Sequence, residues 1–452
     1  MKKIGLIIII LAVSHILVFI LIDRNREGIK SFLVNNGIWN ADLYIYFQQK
    51  LTNKNLDIKI KNESFESNLP ESFSTNHFNE KHKIFDLESI LLEINRDIDL
   101  GYIISLKNFD NKINIITSNG YLFILDKNFR LIKFIELSKK IKNFYTDYAY
   151  GGIRAAKWIN NKNLIIYSST KENKIYKISL LSFEISKNFE LKEIDKINIE
   201  NLPNQDGTMS TLGGGIELYN NKIYLSVGTS AVPNEYEINE LAQSDKSNLG
   251  KILEIVLDDK QKFKKINTIA KGSRNSQGLL FIEETLLEIE HGPQGGDEIN
   301  YINENEFNKS MINFGWPNFS YGLPYHSDIP YSNNKLEVNN GKELEKYYNE
   351  NDLSFRKPIF YFTPSIAISN ISSCPFKSTE YEQYKNCFVI SSLKDSSFYI
   401  MKFEKLNGVI DIKSAERVYV GYRIRKIVTH KNDLYICLDN LKIIKISYDI
   451  FK

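Results

Sequence analysis

One apolar run and one recurring pair of short apolar runs organise the chain. The single run covers residues 4–22, follows Lys2 and Lys3, contains no formal charge and ends at Asp23-Arg24-Asn25-Arg26. A helix over it would reach across a hydrocarbon core of ~30 Å at ~1.5 Å per residue. No small-residue cleavage site of the A-x-A kind follows. Residues 1–25 therefore read as an uncleaved signal-anchor, with a cleaved signal peptide as the alternative. Lys2, Lys3 and the terminal amine outweigh the charge just beyond the run, so the N-terminus is expected in the cytoplasm and the rest across the membrane. His15, mid-run, reads as a packing residue. Residues 26–85 are polar and irregular, with Pro70 and several Ser and Asn. They read as a membrane-proximal stalk, with a short helix near residues 28–51.

Beyond residue 85 a polar turn followed by an apolar run recurs six times, at residues 110–116, 160–166, 220–225, 283–289, 384–390 and 431–437. A second run follows each, at 121–125, 175–180, 252–257, 299–302, 398–403 and 441–446. Several alternate apolar and polar positions, as antiparallel strands joined by tight turns do. Six such hairpins predict an all-β fold: a six-bladed β-propeller of four-stranded antiparallel sheets over residues 86–452. The wide gap after the fourth hairpin predicts a long insertion or loop at 303–358. Ligand-binding residues should then lie on loops at one end of the central channel.

Composition changes this picture little. Lys and Arg number 58 and Asp and Glu 55, a balance of +3 that provides no overall field to recruit nucleic acid. Aromatic residues reach 12 %, which suits half-buried pleated surfaces. The abundance of Asn, Lys and Ile reads as codon bias, so an isolated Lys or Asn carries little weight. Three Cys cannot make a disulfide framework. An oxidising compartment would permit a Cys374–Cys387 bridge, while Cys437 lies in an apolar run and reads as core.

The densest cluster of Gly, Pro and polar residues runs from Gly272 to Gly322. It contains Arg274-Asn275-Ser276-Gln277-Gly278-Leu279, Glu290-His291-Gly292-Pro293-Gln294-Gly295-Gly296-Asp297-Glu298-Ile299-Asn300 and Asn313-Phe314-Gly315-Trp316-Pro317. Ala242-Gln243 and Gly250-Lys251-Ile252-Leu253 precede it. Pro364-Ser365, Ser392-Leu393-Lys394-Asp395 and Arg423-Ile424-Arg425 follow it. In order and spacing this set resembles the pyrroloquinoline-quinone-dependent soluble glucose and aldose sugar dehydrogenases, the glucose/sorbosone dehydrogenase family, over roughly residues 95–450. The resemblance implies a six-bladed propeller, which agrees with the hairpin count.

It also implies roles. Arg274, Asn275, Gln277, Lys394, Arg423 and Arg425 would line pyrroloquinoline quinone, a tricarboxylate that several fixed cations would suit. Arg423 and Arg425 stand two apart, on one face of a strand. Gly292 and Pro293 would offer carbonyls to a Ca²⁺ that polarises the quinone. Asp297 and Glu298 would serve a second calcium or brace the loop. The family's catalytic His, in an H-x-G-G element, is absent: Ser210-Thr211-Leu212-Gly213-Gly214 puts Thr211 at its place, and a hydroxyl is no base near pH 7. The family's substrate-side Gln is also unmatched, in the stretch from Asp147 to Arg154. A local misalignment, another base such as Asp206 or His326, or lost catalysis would each account for this.

The resulting expectation is a membrane-anchored, single-pass inner-membrane quinoprotein with its propeller in the periplasm, or cleaved and secreted. It would oxidise an aldose or related alcohol and pass electrons to a respiratory acceptor. The alternative is a non-catalytic propeller that binds a sugar or a protein partner.

Overall fold

The strand signals continue through both central strands of every blade because those strands are covered on both faces. In the computed structural model, Leu122 and Ile124 pack with Leu164 and Ile166 of the next blade, while Phe123 and Leu125 pack with Tyr435 and Ile443 of the blade before. Similar apolar clusters join the second blade to the third, the third to the fourth and the fifth to the sixth. Each fully buried Ile or Leu there contributes about 1.5–3 kcal/mol through removal from water. The structure describes residues 72–77, 83–93, 98–109, 111–147, 150–202, 211–229, 241–292, 296–307, 309, 311–317, 319–320, 323–324, 355–362, 365–375, 386–406 and 408–447.

Among these residues six sheets of four or five strands form the blades. Blade 1 comprises Ile103–Phe109, Lys112–Thr117, Tyr121–Asp126 and Leu131–Glu136. Blade 2 comprises Ile153–Trp158, Asn163–Glu172, Ile175–Ile185 and Leu191–Leu202. Blade 3 runs Gly213–Tyr219, Lys222–Val227, Lys251–Leu257 and Phe263–Lys271. Blade 4 begins Asn275–Ile282, Thr285–His291 and Asp297–Asn303, and takes Phe360–Phe362 as its outer strand. Blade 5 is Ile368–Ser373, Cys387–Ser392, Ser397–Leu406 and Val409–Tyr419. Blade 6 is Ile424–His430, Asp433–Leu438 and Lys442–Ser447, with Lys83–Asp86 added antiparallel on Lys442–Ser447. The first strand of each blade neighbours that of the next, and blade 6 returns to blade 1, so the ring closes.

All twelve predicted runs fall on the two middle strands of the blades. The insertion expected between the fourth and fifth hairpins lies inside blade 4, between its third and fourth strands. Ile312–Asn313 from this insertion pairs in parallel with Ala270 and Lys271 at the edge of blade 3. The propeller also draws in residues ahead of position 86: Ser72–His77 pairs in parallel with the outer strand of blade 5, and Lys83–Asp86 completes blade 6. The signal-anchor and the helix near residues 28–51 lie outside the described residues. Among the described residues no helix is long and apolar enough to cross a membrane. Cys374 and Cys387 are joined by a disulfide, with Cα atoms 5.7 Å apart, and Cys437 is free and buried.

One feature recurs in all six blades and positions the site. Near its start, each innermost strand carries one residue more than the strand it pairs with. The extra residue is Ile104, Arg154, Gln277, Ser369 or Arg425 in blades 1, 2, 4, 5 and 6, and falls within Gly214-Gly215 in blade 3. A bulge of this kind bends the strand and re-aims a side chain. The six bulges together ring one end of the channel.

Candidate active site

The loop before blade 4 is built so that only glycine fits at its corner. Gly272 has φ +80°, and a Cβ there would collide with Asn313 Oδ1 and lie 2.6 Å from the Gly315 nitrogen. Beyond it, the backbone of Arg274 is pinned on both sides. Its N–H donates to Glu290 Oε2 at 2.6 Å, and its carbonyl accepts from the Thr229 N–H at 2.7 Å. The upstream Ala242-Gln243 and Gly250-Lys251 motifs hold the same loop. Gln243 and Asn313 exchange amide hydrogen bonds at 3.0 and 2.9 Å, and Gln243 Nε2 donates to the Trp316 carbonyl at 2.6 Å. Lys251 is buried and donates to the carbonyls of Leu241, Ala242 and Leu249, each at 2.9 Å. Burial lowers its pKa to about 8, with the Lys271 charge adding to the effect.

The Arg274 side chain turns inward. Its Nη1 donates to the carbonyls of His291 and Gly292 at 3.1 and 2.9 Å, and its guanidinium lies 5.4 Å from the Trp316 ring. Gln277 Nε2 donates to Asn275 Oδ1 at 2.7 Å, and Asn275 Nδ2 lies 3.4 Å from His291 Nδ1. His291 Nε2 is buried without a hydrogen-bond partner among the described residues. Burial lowers the His291 pKa, the Asp297 charge opposes this and Arg274 reinforces it, so the ring is neutral near pH 7. Arg274, Asn275, Gln277 and His291 are therefore one hydrogen-bonded group.

A second group forms on blades 6, 1 and 2. Arg423 Nε and Arg425 Nε donate to the two carboxylate oxygens of Asp439, each at 2.8 Å. Burial alone would raise the Asp439 pKa, but Arg425 and Arg423 hold it down to about 2. Arg425 also stacks 4.1 Å from the Tyr102 ring, and the Tyr102 hydroxyl accepts from Arg154 Nη1 at 2.9 Å. Among the described residues the Nη groups of Arg423 and Arg425 make no hydrogen bond, so both retain donors for an anion. Lys394 is exposed, on the loop between the second and third strands of blade 5. The Ser396 carbonyl of the same loop accepts from the N–H groups of Val420 and Gly421, next to Arg423. The two groups share an electrostatic boundary, because Arg425 as well as Arg274 depresses the His291 pKa.

Three of the predicted metal donors, Gly292, Asp297 and Glu298, lie among the described residues, and each already has a partner within the chain. Gly292 can only be glycine, since a Cβ would collide with the Gly296 carbonyl oxygen, but its own carbonyl accepts from Arg274. Pro293 lies outside the described residues. Asp297 is a brace between blades 4 and 5, accepting from Ser365 Oγ at 2.7 Å and the Ile368 N–H at 3.0 Å. Glu298 accepts from Asn300 Nδ2 at 3.2 Å, and the same amide donates to Glu288 at 3.0 Å. Burial pushes Glu288 up to about 7, and raises Glu290 with Glu288 and Glu298 adding to it. Among the described residues no group of three or more His, Cys, Asp or Glu is arranged to hold a metal.

Thr211 is buried, and its hydroxyl donates to the Thr229 carbonyl, one step from Arg274. It is a tether between loops. Gly214, with φ +142°, lies against the Arg154 carbonyl, where a Cβ would approach to 2.6 Å. Asp206 and His326, the alternative bases, lie outside the described residues. Tyr102, Arg154 and Asp439 were not singled out as site residues by the sequence. Arg154 was reachable, because it occupies the same bulge position as Gln277 and Arg425.

With the fold and these groups in view, a model of the glucose/sorbosone dehydrogenase family matches residues 152–445. The chain belongs to that family. It is 30 % identical over 173 residues to the aldose sugar dehydrogenase YliI of Escherichia coli (strain K12), a match covering 37 % of this chain and 40 % of that protein. It is 25 % identical over 201 residues to the uncharacterized protein slr1608 of Synechocystis sp., covering 42 % of each. The matches thus span about two fifths of these curated relatives. Among solved structures, a glucose dehydrogenase superposes with TM-score 0.59 at 17 % identity, over 81 % of this chain and 99 % of that one. The apo form of the soluble aldose sugar dehydrogenase from Escherichia coli superposes with TM-score 0.54 at 17 % identity and the same coverage. These two likenesses bear on the fold alone: a family propeller, as the hairpins predicted.

Proposed function

We propose that this family member is a quinoprotein that oxidises an aldose or related alcohol with pyrroloquinoline quinone. The observation that carries the reading is the Arg423–Asp439–Arg425 group, two fixed guanidinium groups with donors to spare beside the bulge end of the channel. That donor set fits a planar tricarboxylate. Arg–carboxylate pairs are short and directional, and a shared Asp pre-orients both partners. Lys394 would add a mobile cation from blade 5, and Gln277 and Asn275 neutral donors from blade 4. When bound, the quinone supplies a hydride acceptor for the sugar carbon. The protein would hold the ring plane, keep Arg154 and Tyr102 in place beside it, and shield it from bulk water.

Calcium does not fit equally. It rests on the family likeness, while the Gly292 carbonyl and the Asp297 carboxylate are already engaged within the chain. The sugar substrate, the respiratory acceptor, the signal-anchor and the periplasmic location belong to the same proposal. They are consistent with the charge-free run at residues 4–22 and with a disulfide that suits an oxidising compartment.

One observation favours a second reading. Thr211 stands where the family places its base and is tied to Thr229, so the chain would bind a sugar or a partner without oxidising it. The assay that separates the two uses the purified full chain with pyrroloquinoline quinone, with and without Ca²⁺, an aldose panel and an artificial electron-accepting dye. Dye reduction that depends on both quinone and sugar supports the dehydrogenase reading. Cofactor binding without turnover, followed by activity in Thr211→His, would show that the base alone is missing. Loss of a general base typically costs about 10²–10⁴-fold.

A further inference from the structure

Beyond the ring of bulges the central channel holds a cavity of about 460 Å³. All six innermost strands line it, mainly through residues that follow the bulges, with Ile104 and Gly215 touching it from the bulges themselves, and neither Arg274, Gln277, Arg423 nor Arg425 reaches it. Its charges are unbalanced. Lys107 enters from blade 1, Lys157 from blade 2, Glu217 from blade 3, Glu283 from blade 4 and Lys426 from blade 6; blade 5 supplies only neutral groups such as Asn370 and Ser372. Glu283 is exposed and paired with Lys405 at 2.8 Å. Glu217 is spent on Lys157, at 2.5 Å. Among the described residues, Lys107 and Lys426 form no ion pair with a carboxylate.

We propose that this cavity is a second ligand site, distinct from the bulge end of the channel, that takes a small multivalent oxyanion such as a phosphate or a polycarboxylate. Two ammonium groups without a paired counter-charge face a space of ligand size, with hydroxyl and amide groups around them. Like charges held together out of bulk water destabilise one another unless an anion joins them. Burial and the nearby Lys157 charge depress both lysines, Lys426 to about 8, and the Glu217 carboxylate only partly opposes this. The inference is independent of quinone chemistry.

The test is thermal unfolding of the purified full chain against inorganic phosphate and against citrate, with sodium chloride at matched ionic strength as the reference. The expected result is a saturable rise in midpoint with one or both anions, and the stronger of the two identifies the oxyanion class. Lys426→Met and Lys107→Met should weaken the apparent affinity tenfold or more, while Arg423→Ala should leave it unchanged. Glu217→Gln removes the opposing charge and should tighten binding several-fold, a gain that misfolding cannot imitate. No saturable effect beyond sodium chloride would overturn the proposal. So would an effect lost in Arg423→Ala and kept in both lysine variants, which would put the anion at the other end of the channel.

Discussion

Asp439 sets the geometry of the bulge end more than any of the arginines it holds. Each guanidinium uses its Nε on it, and without it, among the described residues, Arg425 would keep only its stacking on Tyr102. Its folded pKa, about 2, lies below the ordinary aspartate value. A depressed carboxylate pKa gives stability that is present above the unfolded value and is lost as the pH falls through the folded one. Wild-type protein should therefore lose about 2 kcal/mol of stability from this group between about pH 4 and pH 2. In Asp439→Asn that part of the acid slope should vanish in urea titrations across the same window. Thr211 illustrates the reverse case, a residue whose place in a motif suggests chemistry and whose hydrogen bond is structural.

At the level of strands, the central pair of each blade was legible and the outer pair was not. Middle strands such as Tyr121–Asp126 are covered on both faces and read as apolar runs. Outer strands such as Leu191–Leu202 expose charged residues to solvent, and inner strands begin with a bulge that breaks period-two alternation. Two outer strands are also remote in sequence: Phe360–Phe362 returns after an insertion and Lys83–Asp86 comes from the N-terminal side. The site divides similarly. Arg274, Asn275, Gln277, Arg423 and Arg425 were legible as motif residues. Tyr102 and Asp439 were not, because only closure of the ring brings blades 6, 1 and 2 together. At this scale the Cys374–Cys387 bond ties the first two strands of blade 5. Closing a loop of that size is worth about 3 kcal/mol, so dithiothreitol should lower the denaturant midpoint, with little change in Cys374→Ala/Cys387→Ala.

At the scale of the whole molecule, the ring depends on a strand from outside the repeat. Lys83–Asp86 covers the edge of blade 6, and the adjoining Leu87 and Ile90 pack with Tyr435 and Ile443 across the junction to blade 1. Deleting residues through 86 should expose a sheet edge, lower the thermal midpoint and promote aggregation, measured by calorimetry and light scattering. An equal midpoint would show that blade 6 closes without it. The same closed ring defines one channel with two electrostatically different regions. The bulge end carries paired arginines, and the cavity beyond it carries three lysines of which, among the described residues, only Lys157 is paired with a carboxylate.

Pyrroloquinoline quinone binding by the purified chain can be read by spectroscopic titration. Saturable binding near one equivalent is predicted, weakened at least tenfold in Arg423→Ala and Arg425→Ala, since a hydrogen bond to a charged group is worth about 1.5–3 kcal/mol. Absence of binding in the wild type, or affinity unchanged in both variants, would contradict the quinoprotein reading.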